Sequence, residues 1–157
     1  KGPLAIGCYL TDTGPEDGPV AIVPSSHKGP LYDQYDQHGN WTGSLSDIDA
    51  ANLDLSSVVY LTAPKGSITV HNCRTVHGSP PSKIVDGRPL LINAFTSADA
   101  FGYTHNPAST KNYRRIVRGN AARWAHHDPR PCLIPPDWSA GYTSIFAAQS
   151  GEDAGVV

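Results

Sequence analysis

Apolar residues in this chain come in short runs, and each run ends at a cluster of turn formers. Leu4-Ala5-Ile6-Gly7-Cys8-Tyr9-Leu10 and Val20-Ala21-Ile22-Val23 flank Thr13-Gly14-Pro15-Glu16-Asp17-Gly18, a pattern that predicts two strands joined as an antiparallel hairpin. Val58-Val59-Tyr60-Leu61 and Ser67-Ile68-Thr69-Val70-His71 bracket Ala63-Pro64-Lys65-Gly66, a second strand–turn–strand. A further apolar run, Arg88 to Thr96, follows Asp86-Gly87. Runs this short and this rich in β-branched residues read as strands. Only Ser109 to Trp124 carries a helical period: Ser109 can cap it, and Tyr113, Ile116, Val117 and Trp124 fall near one face. Gly119 weakens that helix. The expected class is all-β with a minor helix.

The polar stretch from Lys28 to Ser56 separates the two strand pairs and carries Tyr32, Tyr35 and Trp41. It is too long for an ordinary connection, and such loops tend to be lids or binding loops. Its aromatics either line a substrate mouth or anchor the insert. From Pro135-Pro136-Asp137-Trp138 onward the chain is expected to be an irregular strap. The reading is a single domain over 1–157: a hairpin over 1–27, the insert over 28–56, barrel strands over 57–96, and a helix and tail over 97–157.

Composition narrows the function classes. The 157 residues suffice for one core, and 15 Gly with 14 Pro disfavour long helices. A formal net charge of −2 gives no electrostatic case for nucleic acid or an anionic membrane. No apolar run reaches the length of a membrane span, and the first residues lack the features of a signal peptide, so a cytoplasmic location is expected. Cys8, Cys73 and Cys132 are odd in number and widely spaced, which reads as reduced, ordinary cysteine. Asn40-Trp41-Thr42 fits a glycosylation sequon but carries little weight without secretion. The chain has no methionine and opens on Lys1-Gly2-Pro3, from which a fragment is expected.

Candidate chemistry lies between Gly66 and Phe95. His71 and His77 are six residues apart, so on a regular strand both would face one side. Gly78-Ser79-Pro80-Pro81 follows, and Arg88 opens the next strand. Such an order sets an imidazole and a guanidinium into one concave space. A neutral imidazole ligates iron(II) well, and two histidines with one carboxylate leave open positions on one face. An arginine offers a permanent, planar, bidentate fork to a carboxylate. A single histidine at a strand end is nevertheless more often a structural hydrogen-bonder, and an arginine opening a strand is usually solvated.

Two separated stretches carry a resemblance. Asp17-Gly18-Pro19-Val20-Ala21-Ile22-Val23-Pro24-Ser25-Ser26-His27-Lys28-Gly29-Pro30 resembles the "nGPL-x-V-x-PGSH-K-G" segment of the phytanoyl-CoA dioxygenase family, and His77-Gly78-Ser79 followed by Arg88 resembles that family's distal metal histidine and 2-oxoglutarate arginine. The resemblance spans about residues 4 to 96. It implies a double-stranded β-helix, the cupin-like jelly roll, incomplete at the N-terminus. It implies iron(II) and 2-oxoglutarate as cofactor and cosubstrate, with His77 as metal ligand, Ser79 and Arg88 holding the 2-oxoglutarate carboxylate, and Gly78 keeping the chain close to the metal. Two departures stand out. Ser25 occupies a position where the family usually has Gly. No H-x-D pair occurs in the chain, so the other two ligands are expected upstream of Lys1.

The implied activity is hydroxylation of a small-molecule substrate by an iron(II)/2-oxoglutarate-dependent dioxygenase. A family halogenase, or a non-catalytic cupin-like binding module or truncated product, stays open beside it. His71 is a candidate for the second shell or for substrate contact, with a packed strand histidine as its bland alternative. His27 is expected to brace a loop, Asn72 and Arg74 to be solvated, and His105 to be surface; His126-His127-Asp128 only superficially resembles a ligand cluster, because adjacent residues point apart. Expected partners are a small molecule, no nucleic acid and no membrane, with exposed sheet edges inviting a homodimer.

Overall fold

The structure is a computed structural model that describes residues 2–136 except 86, 105, 107 and 108. Asp86, His105 and the tail from Asp137 onward, Trp138 included, lie outside the described residues. Six strands, β1 (Leu4–Tyr9), β2 (Ala21–Ile22), β3 (Val59–Tyr60), β4 (Ile68–Asn72), β5 (His77–Gly78) and β6 (Leu90–Phe95), are joined by one short helix, α1 (Asp47–Ala51), and three single-turn 3-10 segments. Contacts group the chain into two compact units: residues 1–30 with 54–97, and residues 31–53 with 98–157.

All six strands belong to the first unit. They form two three-stranded antiparallel sheets, ordered β4-β1-β6 and β3-β2-β5. The predicted hairpins are therefore corrected. β1 and β2 lie in different sheets, and so do β3 and β4. The turn signals were real, but the loops they mark carry the chain from one sheet to the other. Local pattern identifies a strand; its partner is set by burial across the whole unit. Strands that keep switching between two facing sheets make a jelly-roll-like β architecture, in which the full form has eight strands; the described residues contribute six.

Period-2 alternation in β1 sorts that sheet into two faces. Ala5 pairs with His71 and Ala94, Gly7 with Thr69 and Ile92, and Tyr9 with Leu90. Tyr9 is 1% exposed, and its hydroxyl donates to the Leu61 carbonyl just beyond β3. At its Tyr9 end this face reaches the second sheet, while Ile92 on the same face is exposed. Gly7 belongs to it because a Cβ there would stand 2.8 Å from Thr69 Oγ1 and 3.2 Å from Leu90 Cδ1. Leu4, Ile68, Val70, Leu91 and Phe95 line the other face and are exposed.

The second unit is described by itself. α1 is capped by Ser46, whose hydroxyl accepts from the Asp49 amide at 3.1 Å. Tyr35 bridges to Trp41, and its hydroxyl donates to the Ile134 carbonyl at 3.0 Å. Tyr32, Tyr35 and Trp41 thus line a cleft of about 120 Å³ with Leu133, Ile134 and Pro135. The helix expected over 109–124 does not form: its residues are turns and bends joined by irregular chain, all exposed. Arg114 has φ 58° and Gly119 φ 78°, and a left-handed residue interrupts the helical hydrogen-bond ladder twice. The Arg114 guanidinium lies over the Phe101 ring, 4.0 Å from its centre.

Ser25 has φ 64°, a left-handed conformation that an L side chain adopts at a cost of roughly 1–2 kcal/mol. That is the physical reason a glycine suits this position. Part of the cost is offset because glycine loses more freedom on folding. Ser25→Gly is expected to raise the unfolding free energy by about 1 kcal/mol, read by denaturant titration. A loss of stability would mean that the Ser25 hydroxyl holds the turn.

Candidate active site

β4 and β5 belong to different sheets, and the turn between them is fixed at several points. Asn72 Oδ1 accepts from the Arg74 amide at 2.9 Å, and the Thr75 amide donates to the Asn72 carbonyl at 2.9 Å. Ser26 ties the turn to the 23–28 segment: its hydroxyl donates to the Val23 carbonyl at 2.7 Å and accepts from the Val76 amide at 2.8 Å. Val23 in turn donates its amide to the Val76 carbonyl at 3.0 Å. His71 and His77 therefore do not share one regular strand. They face each other from the two sheets, with ring centres 5.0 Å apart and planes tilted by 51°.

His77 Nδ1 lies 2.7 Å from the Thr75 carbonyl. A carbonyl only accepts, so Nδ1 carries the proton and Nε2 keeps the lone pair. Metal-binding histidines are oriented in this way. Thr75 is itself buried, which holds that carbonyl in place. His71 is half-buried, with Nδ1 enclosed and without a hydrogen-bond partner. Burial, with a smaller contribution from His77, pushes the His71 pKa below the ordinary histidine value, so its ring is neutral near pH 7.

The cationic part of the site is built around Gly18. The 3-10 turn Pro15–Asp17 is closed by Asp17, whose carboxylate accepts from the Gly14 amide at 2.6 Å, and it ends on Gly18 with φ 64°. The Pro80–Lys83 loop packs on this turn: Lys83 donates its amide to the Glu16 carbonyl at 2.9 Å, and their side chains pair at 2.8 Å. Arg88 Nε donates to the Gly18 carbonyl at 3.2 Å, and Nη2 makes a long contact of 3.5 Å with Ser79 Oγ. Nη1 is buried without a partner. Among the described residues no carboxylate pairs with Arg88. The buried Tyr9 phenol lies close enough to feel its charge; burial raises the Tyr9 pKa and Arg88 partly offsets the rise.

The first unit contains His71, His77, Ser79 and Arg88, with His71 beside His77 and Ser79 near Arg88. No group of three or more His, Cys, Asp or Glu able to hold a metal occurs among the described residues. Motif reading missed the supports: Ser26 braces the turn assigned to His27, and the Gly18 and Thr75 carbonyls aim Arg88 and His77. Backbone acceptors leave no residue-type signal. Arg74 is not solvated as expected: it is half-buried, Nη2 donates to the Gly29 carbonyl at 3.0 Å, and Nε is enclosed. Cys8, Cys73 and Cys132 are free thiols. No helix among the described residues is long and apolar enough to cross a membrane.

The sequence model of the phytanoyl-CoA dioxygenase (PhyH) family matches residues 3–85, more than half of the 157. The chain belongs to the phytanoyl-CoA dioxygenase family. His71, His77 and Ser79 fall within the matched span, and Arg88 lies three residues beyond it. The chain is similar to a probable alpha-ketoglutarate-dependent hypophosphite dioxygenase of Stutzerimonas stutzeri, 36% identical over 101 residues that cover 62% of this chain and 35% of that protein. It also resembles the crystal structure of apo HygX from Streptomyces hygroscopicus, with 22% identity and a TM-score of 0.43, over 81% of this chain and 48% of that one. The chain therefore spans about a third of the length of that curated relative and about half of that solved chain.

Gly18 admits no side chain. Beyond its left-handed φ, a Cβ would stand 2.7 Å from the Pro80 carbonyl oxygen and 3.1 Å from the Ser82 amide nitrogen. Gly18→Ala is expected to destabilise the first unit by on the order of 1–3 kcal/mol, seen as a lowered thermal midpoint. An unchanged midpoint would show that the two loops are not clamped together.

Proposed function

We propose that this chain carries the 2-oxoglutarate-binding residues and one metal ligand of an iron(II)/2-oxoglutarate-dependent dioxygenase that hydroxylates a small molecule. The observation that carries this reading is the Arg88 guanidinium. Its Nε is held by the Gly18 carbonyl and Nη2 lies in long contact with Ser79, while Nη1 is enclosed and unpartnered. A partly buried cation without a counter-ion among the described residues is costly, and an enclosed N–H without an acceptor adds to that cost. A carboxylate placed against Nη1 and Ser79 relieves both. The donor set fits the second carboxylate of 2-oxoglutarate, because a guanidinium is a flat fork that matches a carboxylate edge.

Each residue then has a task. Arg88 binds and orients the carboxylate, with Gly18 fixing the direction of its fork. Ser79 adds a hydroxyl donor from the β5–β6 loop. His77 presents Nε2 to the metal, its tautomer set by the Thr75 carbonyl. The buried Tyr9 phenol is already satisfied by the Leu61 carbonyl, so that it does not compete for the anion. When bound, iron(II) and 2-oxoglutarate supply the activation of dioxygen, the cosubstrate leaving as succinate and carbon dioxide. The similarity to a protein named for hypophosphite supports a compact substrate.

A hydrogen bond to a charged group contributes about 1.5–3 kcal/mol. Arg88→Ala is therefore expected to weaken 2-oxoglutarate binding roughly ten- to hundredfold while changing metal affinity little, both measured by anaerobic titration. Equal loss of the two would sink the role assigned to Arg88.

A further inference from the structure

Away from the unit that carries Arg88, the aromatic residues of the insert converge on one small space. Asp36 closes a tight turn there. Its carboxylate accepts from the His38 and Asn40 amides, both at 2.8 Å, and Gly39 takes φ 83°. The chain folds back, so that Tyr35 bridges antiparallel to Trp41 and the Thr42 amide donates to the Gln34 carbonyl at 2.7 Å. Residues opposed in this way carry their side chains on one face, with Cβ atoms roughly 4.5–5.5 Å apart. Tyr32 lines the same cleft, and the Tyr35 hydroxyl is tied to the Ile134 carbonyl at 3.0 Å. Leu133, Ile134 and Pro135 complete it as an apolar wall. All three rings are half-buried, so packing holds them while part of each stays open to a ligand.

The cleft measures about 120 Å³, well below the roughly 300–1,000 Å³ of sites that enclose a drug-sized ligand. It takes one compact group and leaves the rest of a ligand in solvent. Charge selects that group. Between Gly29 and Pro64 the chain has no Lys or Arg and carries Asp33, Asp36, Asp47, Asp49 and Asp54. Asp33 lines the cleft; one of its carboxylate oxygens accepts from the Tyr35 amide at 3.2 Å, and no Lys or Arg pairs with it among the described residues. Arg130, the cation nearest to Leu133 along the chain, is held through Nε and Nη2 by Asp128. Aromatic faces carry the negative part of the ring quadrupole, so three rings beside a carboxylate favour a cation. The side chains of Leu133, Ile134 and Pro135 accept no hydrogen bond from an unmethylated ammonium, but they pack well against methyl groups.

We infer that Tyr32, Tyr35 and Trp41, with Asp33, form a cage for the quaternary N-methylated ammonium group of a small molecule. The cage lies wholly within the second unit and uses neither His77 nor Arg88. It therefore stands or falls apart from the oxygenase reading.

The test titrates the 157-residue chain with choline at constant ionic strength, with 3,3-dimethylbutan-1-ol as the uncharged control of the same shape. Binding is followed by the choline methyl resonance in proton NMR, which aromatic faces shift upfield. Choline is expected to saturate the chain and to bind about fivefold or more tightly than the alcohol. Its methyl protons should show intermolecular Overhauser effects to the rings of Tyr32, Tyr35 and Trp41. Trp41→Leu should weaken choline about fivefold or more, and Asp33→Asn roughly two- to threefold, in variants whose thermal midpoints match the unsubstituted chain.

Equal affinity for the alcohol would show that the cleft senses bulk and not charge, and overturns the cage. No methyl shift at tens of millimolar choline, Overhauser effects only to other rings, or full affinity in Trp41→Leu overturns it too. A trimethyllysine peptide that binds more tightly than choline would assign the cleft to a protein tail, against a small molecule. The Overhauser measurement needs no variant, so a Trp41→Leu chain that fails to fold leaves the test intact.

Discussion

A guanidinium anchored through Nε and enclosed without a partner at Nη1 organises this site. Arg88 is placed by the Gly18 carbonyl, with Ser79 in long contact, and Gly18 can offer its carbonyl only because the chain turns there through a left-handed residue lying against the Pro80–Ser82 backbone. Much of the surrounding structure serves that contact. The Asp17 carboxylate closes the turn, and the Glu16–Lys83 contacts bring in the loop. The exposed ion pair between Glu16 and Lys83 contributes little by itself; the backbone bond beside it sets the register. A site built this way keeps its charge poised for an anion, because the chain supplies the geometry without a counter-ion among the described residues.

The sheet crossings do the same for the histidines. Had β4 and β5 continued as one strand, His71 and His77 would have been separated along it by the full length of six residues. The turn at 73–76 instead sends the chain to the opposite sheet and brings the rings to 5.0 Å. Ser26 is the hinge-pin of that arrangement. It joins the segment after β2 to the turn before β5 through one hydroxyl that both donates and accepts. The stretch that resembles a family motif around residues 17–30 thus has two structural tasks: Gly18 aims the arginine and Ser26 holds the histidine turn.

How much of this was legible in the sequence depended on the range of the interaction. The strands themselves were readable from alternation, and the all-β class with them. Their pairing was not, because Leu4–Tyr9 finds its partners at Ile68–Asn72 and Leu90–Phe95, beyond any local pattern. The helix expected over 109–124 failed for a local reason, the left-handed Arg114 and Gly119, which a period of apolar residues does not reveal. His77, Ser79 and Arg88 were visible as residue types in order. The groups that aim them, the carbonyls of Thr75 and Gly18, belong to the backbone and carry no signature. Ser25 was visible as a departure from the family, and its φ of 64° supplies the physical meaning of that departure.

The central claim is that Arg88 reads the second carboxylate of 2-oxoglutarate. It is tested most directly by comparing 2-oxoglutarate with 2-oxobutyrate, which has the same keto acid end and no second carboxylate. Both would be titrated anaerobically, with iron(II) present, into the chain and into its Arg88→Ala variant. The account predicts that the chain prefers 2-oxoglutarate at least tenfold and that the variant does not distinguish the two. Equal affinities in the unsubstituted chain, or a preference that survives loss of Arg88, would contradict it.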